Sequence, residues 1–414
     1  MSFARATIAG AGLAGLSAAV VLVEAGVPVT IGEAAAQAGG RCRSYHDPQL
    51  GLTIDNGNHL VLSGNPAVAR FRESISAITP LAGPDHADFT FHDLKQGARW
   101  TVRINDGLIP WWIASPERRV PGSRVADYVP LARLLAKQEG RIDARIETQG
   151  PVWSYLIEPI LLAALNTAPA EGSSLLAANV LRETVAKGGR AMRPRIAEPS
   201  LGAAFIEPAL AWLEARATSV ALGRRLRAIA VDDDRVTGLD WGAGVEPVEA
   251  GDAVILAVPP WVATALVPGL VAPDDFRAIV NGHFAFPAPT GAPPMLGLFG
   301  GTAEWLFAFP DRLSVTVSAA DRLVDLDRET LANTFWADIC RALSIDAPMP
   351  AWQIVKEKRA TFAATPEQNA KRPPATTRWR NLFLAGDWTD TGLPATIEGA
   401  LRSGETVARC VMAG

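Results

Sequence analysis

Ile8-Ala9-Gly10-Ala11-Gly12-Leu13-Ala14-Gly15-Leu16 is the stretch that decides the fold. Residues 5–11 read as a buried strand, and residues 12–26 carry the apolar pattern of a helix. Between them the glycines fall as GxGxxG. Gly10 permits a tight turn, Gly12 lets a pyrophosphate approach the backbone, and Gly15 lets the helix pack close to the strand. The first-turn N–H groups of the helix, from Leu13 and Ala14 onward, then face the phosphates at the positive end of its dipole. The pattern alone is weak. It gains from Pro28–Glu33, which reads as a second strand ending on a carboxylate. Glu33 stands about 20 residues on, where such a group accepts the ribose hydroxyls of a nucleotide lacking a 2′-phosphate.

Composition narrows the rest. A chain of 414 residues is long enough for two or three domains at roughly 100–200 residues each. The formal charge of −4, without a basic block, argues against a nucleic-acid partner. Cys42, Cys340 and Cys410 are odd in number and far apart, which fits a reducing, cytoplasmic setting without disulfides. The five histidines form no metal-binding spacing, so no metal is expected. No secretory signal is expected, because the first residues run straight into the strand. The apolar run Leu13–Val23 is short of the ~20 residues a bilayer span needs. Twelve Trp and 14 Phe against 3 Tyr suit a greasy ligand, and suit a plain core equally.

The pattern along the chain is discontinuous. Tyr155–Asn166, Leu175–Lys187 and Leu201–Ala217 read as helices, and Ala253–Val258 and Asn381–Ala385 as buried strands. Val220–Ala230 and Arg235–Trp241 read as a hairpin around Asp232–Asp234, Phe286–Pro294 as a loop, and Thr396–Met412 as the last helix. The predicted class is α/β. A Rossmann-like dinucleotide domain is drawn from residues 1–70, 196–265 and 375–414. A discontinuous α+β substrate domain is drawn from 71–195 and 266–374.

After the second strand comes Gly39-Gly40-Arg41, and near the C-terminal end Asn381-Leu382-Phe383-Leu384-Ala385-Gly386-Asp387 is followed by Pro394-Ala395-Thr396-Ile397-Glu398-Gly399-Ala400. This combination resembles the flavoprotein class of amine oxidases, carotenoid desaturases and Rab GDP-dissociation inhibitors. The resemblance implies non-covalent FAD. It places Arg41 at the phosphates, Asp387 near the ribityl chain, the backbone of Leu226 at the adenine, and Gly57-Asn58-His59 along the flavin ring. It also places the helix start Pro394–Ile397 at the flavin edge, where free N–H groups stabilise the negative charge of a reduced flavin.

Four stretches together resemble one family, the FAD-dependent hydroxysqualene dehydroxylases of bacterial squalene and hopanoid synthesis. They are Gly57–Asn65, Glu158–Pro169, Phe205–Leu213 and Gly386–Ala400. The likeness implies reductive removal of an allylic hydroxyl from hydroxysqualene to give squalene. Such chemistry needs a hydride on carbon, a proton on the departing oxygen and an apolar tunnel. Asp390 in the flavin-edge loop, Glu158 in an apolar helix and His59 beside the ring are the candidate catalytic residues; Glu207 reads as a first-turn acid countering the helix dipole. No second nucleotide fingerprint is present for a reductant, so the electron donor is unidentified. Ile109-Pro110-Trp111-Trp112-Ile113 beside Arg118-Arg119 reads either as a peripheral contact with the inner membrane face or as a tunnel wall. Two competing expectations stand: a related desaturase or oxidase acting on a carotenoid-type polyene or an amine, and a prenyl-binding protein without flavin chemistry.

Overall fold

The computed structural model describes residues 3–136 and 138–414. Its first layer is a five-stranded parallel sheet in the order Val220–Ala221, Val29–Gly32, Arg5–Ala9, Asp252–Leu256, Leu382–Leu384. Only Arg5–Ala9 and Val29–Gly32 are consecutive in the chain; the other three strands come from distant parts, so the sheet closes only after residue 382 is made. The helix Leu13–Glu24 is buried along most of its length, which is why it reads as a nearly uninterrupted apolar run. The last helix, Ile397–Ala413, packs on it so closely that a Cβ added to Gly404 would lie 2.4 Å from the Ala14 carbonyl oxygen.

The expected strand Val220–Ala230 is corrected. Val220–Ala221 pairs parallel with Ile31 and Gly32, and the N–H groups of Gly223 and Arg224 donate to the carbonyls of Ala35 and Glu33. Only Ala228–Asp232 turns into a hairpin with Arg235–Asp240. Leu226 therefore sits before the hairpin, in the connecting turn, where it is buried. The break is marked in the sequence by Gly223, at φ +70°, followed by Arg224 and Arg225, a turn signal inside what reads as one strand.

The second layer is a seven-stranded sheet in the order Trp352–Phe362, Phe276–Phe284, Leu313–Val317, Trp305–Ala308, Met295–Phe299, Ala87–Asp93, Ala98–Ile104. Side chains alternate between its faces. One face carries Val280, Phe284, Leu306 and Val315 and buries them under the helix Arg328–Leu343 through Leu331, Phe335 and Ile339. The other face is the roof of the site described below. A small three-stranded sheet joins Leu60–Leu62 and Leu81–Ala82 to Pro194–Ala197, so the expected boundary at 195/196 falls inside a strand.

Two helices share an unusual start. Trp153–Ile157 and Gly202–Ile206 are π-helical turns, and each passes into an α-helix at Glu-Pro: Glu158–Leu165 and Glu207–Glu214. Proline has no N–H to donate and its ring crowds the carbonyl four residues back, so the preceding turn opens to the wider π spacing. The helix expected from Tyr155 thus starts earlier, and the one expected to reach Lys187 ends at Glu183.

Candidate active site

The nucleotide end is built by the first strand, turn and helix. Gly10 has φ +106°, and a Cβ there would lie 2.3 Å from the Ala257 carbonyl oxygen, so only glycine fits the crossing. A Cβ on Gly12 would meet nothing within 4 Å, which leaves open space over the helix start where a pyrophosphate approaches. The helix N-cap, Gly12, supplies no side-chain cap, and its first-turn N–H donors at Leu13 and Ala14 face that space. Gly39 bridges to Gly12, and its N–H donates to the Ala11 carbonyl at 2.8 Å, bringing Gly40 and Arg41 to the same rim. The Glu33 carboxylate accepts N–H from Ala11 and from Ala35, both at 2.8 Å, which fixes it at the strand end with lone pairs to spare.

Arg41 and Asp387 come from opposite ends of the chain and meet. The Arg41 Nη2 donates to Asp387 Oδ1 at 2.7 Å, and Nη1 donates to the Ala360 carbonyl. The Arg41 side chain is seated deep among protein atoms yet 41% exposed, as expected of a group on the wall of a cleft. His59 is half-buried beside Arg41 and Asp387. Burial pushes its imidazole down to about 4, the Arg41 charge pushes the same way, and Asp387 opposes both. At neutral pH His59 is therefore neutral and can orient a partner, but it holds no second proton to give.

The last helix supplies the other wall. Thr396 is its N-cap, and its Oγ1 accepts the Gly399 N–H at 3.0 Å, leaving the donors of Ile397 and Glu398 free of a side-chain cap. Pro394 and Ala395 lead into this start. Glu398, 3% exposed, stands in the first turn of this helix, where an acid ordinarily serves the helix's own dipole. It does something else: its two oxygens accept the N–H groups of Ala67 and Val68, each at 3.0 Å, and so cap a second helix, Pro66–Ser74. That link ties the Gly386–Ala400 block to the chain leaving Gly57-Asn58-His59.

The roof lies over that segment. Val355, Asn281, Thr316, Trp305, Gly297, Phe91 and Trp100 stand opposite one another strand by strand and form one row across the sheet. Its polar end is bonded to the flavin-ring segment: Asn58 Nδ2 donates to Thr316 Oγ1 at 3.1 Å, and Thr316 Oγ1 donates to Asn281 Oδ1 at 2.7 Å. Its other end is aromatic. Trp100 stacks on Phe299 at 5.5 Å, and Tyr155 meets both rings edge-on at 5.2 and 5.4 Å. Asn281 and His283 alternate with Val280, Gly282 and Phe284, a period-two polar signal that the sequence did contain.

The candidate acids separate. Glu158 is half-buried at the end of the π turn that carries Tyr155 to the roof; burial raises its carboxyl above the usual range, against a hydrogen bond from Trp153. Asp390 is exposed and lines a surface recess with Arg70 and Arg409. Glu207 is exposed. Half-buried Glu304 is pushed up to about 7 by desolvation, but it alternates with Trp305 onto the opposite face of the roof, where it accepts the Ser318 N–H.

The open space over Gly12, the fixed Glu33 and two helix N-termini fit FAD. So does Asn58 Oδ1, a buried acceptor with no hydrogen-bond partner among the described residues. Fold and cleft define an FAD-dependent oxidoreductase with a separate sheet over its flavin site. Residues 13–412 match the family described as flavin containing amine oxidoreductase. The chain is 52% identical to the hydroxysqualene dehydroxylase of Rhodopseudomonas palustris, with 98% of each chain covered. It is 51% identical to that of Sinorhizobium fredii over 97% of this chain and 96% of the other. Cyclohexylamine oxidase from Brevibacterium oxydans has the same fold, at TM-score 0.71, 17% identity and 99% coverage of both chains. The chain belongs to the flavin-containing amine oxidoreductases and, within them, to the hydroxysqualene dehydroxylases. FAD is its cofactor.

Proposed function

We propose that this protein converts hydroxysqualene to squalene, with Glu158 holding the proton for the departing oxygen. The observation that carries the reading is the near full-length identity of about half to two hydroxysqualene dehydroxylases. When bound and reduced, FAD supplies the hydride; the C–O bond breaks, the hydroxyl leaves as water and the flavin is left oxidised. The chain's own residues do the rest. The Asn58–Thr316–Asn281 end of the roof offers hydrogen bonds beside the ring segment, and the aromatic end gives a long hydrocarbon dry surface. A half-buried carboxylic acid with a raised pKa keeps its proton nearer neutrality than an exposed one. The segments 71–195 and 266–374 serve as the substrate-binding part, and Gly10, Gly12, Gly15, Glu33, Arg41 and Asp387 hold the cofactor. Among the described residues no helix is long and apolar enough to cross a membrane. Peripheral contact with a membrane is part of this reading, since the substrate partitions into lipid.

The test is anaerobic. Photoreduced holoenzyme mixed with hydroxysqualene should lose its reduced-flavin spectrum while squalene accumulates by mass spectrometry. If the flavin stays reduced and no squalene forms, the assignment fails.

A further inference from the structure

Ile109 and Trp111 lie in a loop that follows the strand Ala98–Ile104, at the edge of the roof sheet. The sequence suggested that Trp111 and Trp112 act together, and the structure separates them. Trp112 is 2% exposed and meets the Tyr128 ring edge-on, whereas Trp111 is 52% exposed. Leu108 and Ile109 are 74% and 78% exposed.

This exposure is held in place. Asn105 is 6% exposed and binds the loop from beneath: its Nδ2 donates to the carbonyls of Ile109 at 3.0 Å and Gly107 at 3.3 Å, and its Oδ1 accepts the Trp112 N–H at 3.2 Å. Gly188 braces the far side, where a Cβ would lie 2.4 Å from the Gly107 carbonyl oxygen. A buried amide and a buried indole thus anchor a turn whose other apolar side chains face water. Water does not favour that arrangement, so a partner does.

We propose that Leu108-Ile109-Pro110-Trp111 inserts into the interface of an anionic lipid bilayer. Charge argues for lipid of that sign. The Arg118 guanidinium lies 4.6 Å from the Trp111 ring centre, and residues 103–133 hold five arginines against three acids in a chain of net charge −4. Asp106 is paired with Arg193 at 2.8 Å and Arg103 with Asp88 at 3.6 Å, which leaves the excess of two positive charges unchanged. Size argues for lipid over protein. A stable protein interface takes about 20–30 residues a side, whereas a few apolar residues beside arginines suit insertion at the headgroup level. Position gives the contact a use, on the proposed reaction: the strand that carries the loop also carries Trp100, the aromatic end of the roof row. Docking there brings that end of the roof toward the lipid from which the substrate comes.

Vesicle flotation of the holoenzyme tests this without turnover. The wild type should float with vesicles of phosphatidylcholine and phosphatidylglycerol, and less with phosphatidylcholine alone. Ile109→Ser/Trp111→Ser, both at exposed positions, should float about tenfold less. Arg118→Gln should weaken flotation on the anionic vesicles only. Equal flotation of wild type and double variant overturns the proposal. So does no flotation of the wild type, which leaves a protein as the partner of the loop. Squalene formed from detergent-dispersed substrate without flotation strikes the docking alone. Flotation without turnover strikes the dehydroxylase reading alone.

Discussion

Ile157-Glu158-Pro159 and Ile206-Glu207-Pro208 are the same tripeptide in two places. Both stand at the junction of a π turn and an α-helix, and both put glutamate at the first α position. There the likeness stops. Glu158 is half-buried with a raised carboxyl pKa, in a turn whose Tyr155 packs on Trp100 and Phe299. Glu207 is exposed. Its π turn instead braces the cofactor wall: the Gly202 N–H donates to Ser44 Oγ at 2.7 Å, and the Ile206 side chain lies close against Gly39. A proline writes the backbone device into the sequence. What the device holds is decided by residues far away in the chain.

The largest effect should come from the carboxylates. Glu158→Gln should lower turnover by about 100-fold or more while FAD stays bound, as loss of a general acid does. Glu207→Gln should change it by less than about twofold, the scale of a surface substitution. The proton is on Glu158 below its raised pKa, so wild-type turnover should fall as pH rises through that value. The glutamine variant should lack this alkaline fall. Matching losses in both variants would erase the distinction between the two helices.

The prolines come next. Alanine at either site restores a donor and lets the π turn relax toward α spacing. Pro159→Ala should lower turnover several-fold and leave FAD affinity unchanged. Pro208→Ala should weaken FAD binding in a fluorescence titration, because its turn supports Gly39 and Ser44. If both variants lose only turnover, the second turn has no part in the cofactor wall. The smallest effect is expected at Asp390, exposed on its recess. Asp390→Asn should keep turnover within about twofold in the same steady-state assay. A large loss there would move the proton donor out of the roof region.

These two helices also show what was readable. The cofactor half was legible because its constraints are local. A glycine that must let a carbonyl approach, a carboxylate at a strand end and a helix start each leave a mark within a few residues, as at Gly10, Glu33 and Thr396. Arg41 and Asp387 were drawn to one cofactor only through the resemblance, and their ion pair across 346 residues was not foreseen. The roof was harder. Its row crosses seven strands whose order in space differs from their order in sequence, so Thr316 and Trp305 carried no sign of facing Asn58 and Phe91. Glu398 was missed for another reason. A buried carboxylate capping a different helix and a solvated one countering its own dipole occupy the same position in a sequence. The single-strand reading of Val220–Ala230 failed because it passed over Gly223-Arg224-Arg225, the polar break at which the chain leaves one sheet for another.

The polar end of the roof has one more consequence for the proposed reaction. Asn58, Thr316 and Asn281 can hold a hydroxyl, and the reaction destroys the only hydroxyl there is. Squalene leaves with the same hydrocarbon surface but no handle. The enzyme then grips its substrate and has nothing left with which to grip its product. Release becomes a matter of partitioning into oil, and accumulated squalene should be a poor competitor for the site.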